Sequence, residues 1–192
     1  EATDPNYQSN DYADLLINDS TNEVLESYHC FDRLYPASIT KVMTALLTLE
    51  HGNMDDEITL KHDINLTENG AVISTLTKGD TVTVGQVFHT MLIKSANDCA
   101  VILAEYVAGS ESKFIDMMNA KAKELGATHT HFVNPNGLHD NNHYTTAYDL
   151  YLIFKEAVKY DTFVDTVSSK DYTMTYTCLL YTSPSPRDIS GS

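Results

Sequence analysis

An apolar run after Pro36 limits the architecture more than anything else in this chain. Across residues 38–50, Val42, Met43, Ala45, Leu46, Leu47 and Leu49 fall on most sides of a helix. A helix with no solvated face has to lie inside a fold, so other elements must pack round it. The chain has 192 residues, enough for one domain with a real core or for two thin subdomains sharing a cleft. At 42% hydrophobic and 20% charged residues, the composition is that of a folded globular protein, not a disordered or fibrous one.

The surroundings of that helix read as a mixed α/β (α+β) chain. Leu15-Leu16-Ile17, a polar stretch from Asn18 to Asn22, and Glu23 onward to Tyr28 predict a strand, a turn and a strand. Residues 52–83 are polar and read as loops and short strands, with Lys78-Gly79-Asp80 as a turn before Thr81-Val82-Thr83. Helices are expected over 85–93, 98–108 and 111–125, the last two stopped by Gly109 and Gly126. Asn134-Pro135-Asn136-Gly137 is a turn cluster, and Thr146-x-x-Asp149 has the form of a capping box before a last helix to about Tyr160.

A formal charge of -15 disfavours nucleic acid and anionic lipid as partners. No stretch approaches the roughly 18 apolar residues of a membrane span. Cys30, Cys99 and Cys178 are too few and too scattered for a disulfide framework or a zinc site, and Cys99 on its apolar helix reads as core.

Chemistry enters at Ser38-Ile39-Thr40-Lys41. A serine hydroxyl is a weak nucleophile until a base takes its proton, and residues i and i+3 share a helix face. Burial disfavours an ammonium, so a lysine on this apolar helix is expected to be neutral and able to act as that base. The first helical turn also offers backbone N–H groups and a positive dipole end to a developing oxyanion. Spacing alone leaves open a helix cap followed by a solvent-facing lysine. Ser110-Glu111-Ser112-Lys113 has the same spacing and reads as an ordinary helix start, with Glu111 in the first turn. A second cluster, Lys94-Ser95-Ala96-Asn97-Asp98, lies between two predicted helices. Ser95 offers a hydroxyl for proton relay and Asn97 an amide for a substrate carbonyl, although Ser95-x-x-Asp98 also fits a capping box.

Taken together, these segments resemble the low-molecular-mass penicillin-binding, serine-type D-alanyl-D-alanine carboxypeptidases. Pro36 through Ala45 looks like the family's nucleophile block and Ser95-Ala96-Asn97-Asp98 like its Ser-x-Asn block. Lys78-Gly79-Asp80, Glu124-Leu125-Gly126, His131 through Leu138 and Thr146 through Asp149 follow in family order, and the likeness covers roughly residues 12–177. The resemblance implies a β-lactamase/transpeptidase-like fold, a helical subdomain with an antiparallel sheet. It implies Ser38 as nucleophile, Lys41 as base, Ser95 as relay and Asn97 as a substrate-binding residue. It further implies the peptidoglycan pentapeptide as substrate, β-lactam antibiotics as covalent inhibitors, no metal or other cofactor, and an extracytoplasmic place of action, with a membrane anchor in the parent protein left open.

The family's third block, Lys-Thr-Gly on a strand, has no counterpart here. From Cys178 the text departs from the family. The expectation is therefore a disordered segment at 1–11, a truncated penicillin-binding domain at 12–177 with an incomplete sheet, and a non-native tail at 178–192. Such a chain is expected to be weakly stable and poorly active. A serine β-lactamase shares the first two blocks but needs a deacylating group, such as a glutamate in Glu-x-x-x-Asn, which is absent. No Gly-x-Ser-x-Gly elbow occurs. His139 with His143, or His129 with His131, pair in spacing but lack a third metal ligand, and read as polar loop histidines. A non-catalytic penicillin- or peptidoglycan-binding fragment is the remaining alternative.

Overall fold

The computed structural model describes residues 13–66, 71–169 and 172–174. A 3-10 turn at Ala37–Thr40 runs directly into helix α1, Lys41–His51. Every α1 residue from Lys41 to Thr48 is buried, as its all-round apolar sequence requires. Packed round it are α2 (Val84–Lys94), α3 (Asn97–Ala108), α4 (Glu111–Glu124) and α5 (Ala147–Ala157). Leu46, Phe88, Met91, Leu103, Phe114 and Met118 fill the centre with no measurable exposure. The two glycine stops are where expected: Gly109 and Gly126 both have positive φ, 78° and 82°, the left-handed turn that ends a helix.

Two small antiparallel sheets flank the helices. β1 (Asp14–Asn18) pairs with β2 (Glu23–Tyr28) as the predicted hairpin, with a register shift between Leu16 and Ile17. It leans on α5, where Lys155 holds Asp19 and Asn22 at 3.2 and 2.8 Å. Leu16, Val24, Leu25 and Tyr28 remain exposed, so the hairpin contributes little to the core. β3 (Glu57–Thr59) and β4 (Thr81–Thr83) form the second pair, within the stretch read as loops and short strands. The mixed helix and sheet content agrees with the expected α/β class.

Differences from the sequence reading are local. The terminal helix is two elements, α5 and then α6 (Asp161–Ser168), because the turn at Val158 to Tyr160 redirects the chain and lets Phe163 bury against Phe154. Thr83 and Gln86 form a full capping box that starts α2. Thr146 caps α5 by accepting from Asp149 N–H at 3.0 Å, but the Asp149 carboxylate turns away to His129 N and Thr130 Oγ1. The segments read as disordered (1–11) and non-native (178–192) lie outside the described residues.

If α1 carries the core, Leu46→Ala should lower stability by about 2–5 kcal/mol, since the fully enclosed site cannot collapse onto the void. Urea denaturation with an unchanged m-value reads this out, and a loss below about 1 kcal/mol would contradict a central α1.

Candidate active site

Ser38 and Lys41 meet because of the 3-10 turn between them. At three residues per turn, side chains i and i+3 are eclipsed, a closer alignment than an α-helix gives. Lys41 Nζ lies 3.3 Å from Ser38 Oγ. Ser38 is thus one turn ahead of α1 and caps neither helix; Pro36 and Thr40 occupy the cap positions, neither with a side-chain capping bond. That removes the reading of Ser38 as a helix cap. Lys41 is 3% exposed, which removes the solvent-facing lysine as well.

Three oxygens surround the lysine amine. Besides Ser38 Oγ, Nζ donates to Asn97 Oδ1 at 2.8 Å and to the Asn136 carbonyl at 2.6 Å. Burial pulls its pKa down from the usual 10.5 to about 8. A neutral amine has two N–H bonds and one lone pair. With both hydrogens on Asn97 and Asn136, the lone pair is left for the Ser38 hydroxyl proton.

Ser95 completes the group. Its Oγ donates to Ser38 Oγ at 3.0 Å from the C-cap position that follows α2, where its backbone is left-handed at φ 55°. A non-glycine residue there stores roughly 1–3 kcal/mol of strain, and such residues concentrate at functional sites. Ser95 and Asp98 do not form the alternative capping box: Ala96 is the N-cap of α3 and has no side-chain bond. Asp98 instead clasps the preceding loop, accepting from Ser74 N at 2.9 and 3.0 Å and from Ser74 Oγ. Asn97 belongs to the same clasp, since its Nδ2 and its backbone N–H both donate to Val72 O, at 3.0 and 2.8 Å. Its amide thus positions the lysine and anchors a loop; one Nδ2 hydrogen remains for a substrate carbonyl.

Sequence reasoning missed the far wall. Asn136 contributes a backbone carbonyl, which carries no side-chain signature. The only trace was the Asn-Pro-Asn-Gly turn. The turn is braced internally by Asn134, whose amide bonds Leu138 O and Gly137 N at 2.9 and 2.7 Å. Gly137, at φ 86°, is needed for a steric reason too: a Cβ there would stand 1.8 Å from the Ala37 carbonyl oxygen.

His143, read as a polar loop residue, is buried at 2% exposure because its ring closes the space beneath the Ser38 turn. Its Nδ1 accepts from Val133 N–H at 3.0 Å, so Nε2 carries the proton toward Thr40 Oγ1 at 2.7 Å. Burial lowers its pKa to about 4, against a smaller upward pull from Asp140 and a further downward push from His131. With both nitrogens engaged, His143 does not converge with His139 on a common ligand. Cys99 is fully buried and its thiol pushed up by burial first and Asp98 second, as a core cysteine should be. Ser110 caps α4 by accepting from Lys113 N–H, and Lys113 is exposed, so the second Ser-x-x-Lys is a helix start as read.

Beside Ser38 lies an open cavity of about 370 Å³ lined by Ile39, Val42, Met91, Leu92, Phe154 and Phe163. Among the described residues on its walls, Lys41 is the sole cation.

The fold is that of penicillin-binding DD-peptidases. A point mutant of a Streptomyces DD-transpeptidase superposes with a TM-score of 0.80 at 28% identity, over 85% of this chain and 67% of that one. Penicillin-binding protein D2 from Listeria monocytogenes, solved with cefotaxime bound, gives 0.71 at 27% identity, over 81% and 65%. Residues 1–183 match the family described as D-alanyl-D-alanine carboxypeptidase, and the chain belongs to that family. The D-alanyl-D-alanine carboxypeptidase DacF of Bacillus subtilis is 38% identical over 77% of this chain. The chain spans 39% of that relative's length.

The neutral state of His143 has a pH signature. Its proton affinity is lower folded than unfolded, so the folded state binds fewer protons below the unfolded value of 6.5, and stability falls as pH drops from there to about 4. Between pH 7 and 4 the wild type should lose on the order of 2–3 kcal/mol more than His143→Gln, which cannot titrate. Parallel denaturation curves at the two pH values, giving equal losses, would sink this assignment.

Proposed function

We propose that the chain carries the acylation machinery of a D-alanyl-D-alanine carboxypeptidase. The observation that supports it most is the meeting of Ser38 Oγ with Lys41 Nζ on one side and Ser95 Oγ on the other, at 3.3 and 3.0 Å. In this reading the neutral Lys41 amine takes the Ser38 proton as Oγ attacks the carbonyl of the penultimate D-alanine. The tetrahedral intermediate collapses when the C–N bond breaks as Ser95 gives its hydroxyl proton to the leaving amine, and the proton held by Lys41 is returned to Ser95, so that both groups end as they began. Terminal D-alanine departs and an ester on Ser38 remains, which water hydrolyses. Asn97 orients the lysine and offers its remaining amide hydrogen to the peptide. No metal or cofactor is needed for these steps. A β-lactam acylates the same oxygen, because its strained amide presents the same carbonyl. The substrate class is the peptidoglycan pentapeptide, which places the reaction outside the cytoplasm.

The apolar cavity beside Ser38 supports a second, narrower reading: acylation without efficient turnover. A substrate carboxylate entering there meets Ile39, Met91 and Phe163 and finds, among the described residues, no cation besides Lys41, which is already bonded. In this reading the terminal carboxylate is bound weakly.

Incubation with benzylpenicillin followed by intact-mass and peptide mass spectrometry should give one adduct on Ser38 and none in Ser38→Ala. Lys41→Met should slow acylation by about 10²-fold or more. The acylation rate should climb as pH rises through about 8, where Lys41 loses its proton. Release of D-alanine from a D-Ala-D-Ala peptide should be slow; rapid turnover overturns the narrower reading, and fast penicillin hydrolysis favours a β-lactamase. Absence of any adduct on Ser38 rejects both.

A further inference from the structure

Three contacts tie the Ser38 turn to the 133–143 segment. Gly137 lies flat against Ala37, and the Asn136 carbonyl receives Lys41 Nζ. Between them, the buried His143 ring donates to Thr40 Oγ1 at 2.7 Å. Thr40, itself 1% exposed, is the last residue of the 3-10 turn and adjoins Lys41. None of the catalytic steps above uses His143.

The turn needs holding. Its hydrogen bonds have poorer geometry than those of an α-helix, and Ala37 at φ 47° sits in a conformation unfavourable to a side chain. The helix that follows offers an alternative. If the turn rewound from 3.0 to 3.6 residues per turn, Ser38 would swing by about 60° relative to Lys41 over three residues. The hydroxyl would then leave the amine's lone pair.

We propose that His143 is a positioning residue for the Ser38–Lys41 pair, holding Thr40 through its Nε2–H bond so that the turn keeps the pitch at which hydroxyl and amine meet. The ring is suited to this because its other nitrogen is fixed by Val133 N–H, which sets both the tautomer and the ring plane. His143 touches no reacting atom. The inference rests on the acylation reading for its kinetic consequence but not for its effect on Lys41.

Thr40→Val removes the acceptor while keeping the shape, His143→Phe removes the donor, and His143→Gln retains an N–H at the Nε2 end. With a fluorescent penicillin, the first-order acylation constant should fall about tenfold or more in Thr40→Val and His143→Phe, with non-covalent binding within about twofold. His143→Gln should stay within about threefold of the wild type. An unchanged constant in Thr40→Val overturns the proposal. So do losses of rate and binding that fall together and follow the melting temperatures, the mark of a merely structural contact. Where His143→Phe does not fold, Thr40→Val against His143→Gln carries the comparison.

Lys41 is read on the same proteins by its side-chain ¹³C titration. The midpoint should remain near about 8 in the wild type and His143→Gln, and move upward in Thr40→Val as the amine gains water. If the wild type forms no penicillin adduct, it is the nucleophile reading of Ser38 that fails, and the Lys41 midpoint then decides the positioning role alone. Equal midpoints in all the proteins would overturn it.

Discussion

A lysine amine inside an apolar helix bundle is the constraint on which the rest of this structure hangs. Bare burial of an ammonium in such surroundings is prohibitive, so the group has to be neutral, paired, or both. The fold lowers the amine's proton affinity and also pairs it: α1 encloses the stem of Lys41, and two oxygens from distant parts of the chain receive its hydrogens. Those oxygens come from the start of α3 and from the turn at 134–137, so the positions of both are tied to one nitrogen. The third direction, toward Ser38, is where the chemistry lies.

Strain and bracing follow from that arrangement. Of the four non-glycine residues with positive φ among the described residues, Ala37 and Ser95 flank the site, one beside Ser38 and one as the second hydroxyl. Each conformation costs free energy and persists because neighbours over-determine it. Ala37 is pinned by Gly137, whose missing side chain permits backbone contact. Ser95 is pinned between the end of α2 and the start of α3, with the Asn97 and Asp98 bonds to Val72 and Ser74 fixing the latter.

The distribution of exposed apolar side chains belongs to the same picture. Leu25 and Tyr28 on the hairpin, and Phe154 and Val167 on α5 and α6 beside the Ser38 cavity, are accessible, whereas the α1 to α4 core is closed. Ser38 therefore has one well-formed wall, made of Lys41, Ser95, Asn97 and Asn136, and one open apolar side. That asymmetry is why acylation and full turnover separate in the proposed chemistry.

The sequence by itself determined what depends on neighbours along the chain. The buried helix showed in its all-round apolar run, the hairpin in its short apolar segments about a polar turn, and the helix ends in Gly109, Gly126 and Thr146. The proposed nucleophile and base were legible as spacing, but Ser110 and Lys113 share that spacing. Only tertiary structure decided between them, because a lysine's protonation depends on what encloses it, and enclosure is made by residues far off in sequence. The same holds for the Asn136 carbonyl, identical in every residue type until the fold brings it to Lys41, and for His143, polar by type yet buried by the packing of residues 131–145. Even the short step from Ser38 to Lys41 was settled in three dimensions, since it is a 3-10 turn with Gly137 and His143 against it rather than the start of an α-helix.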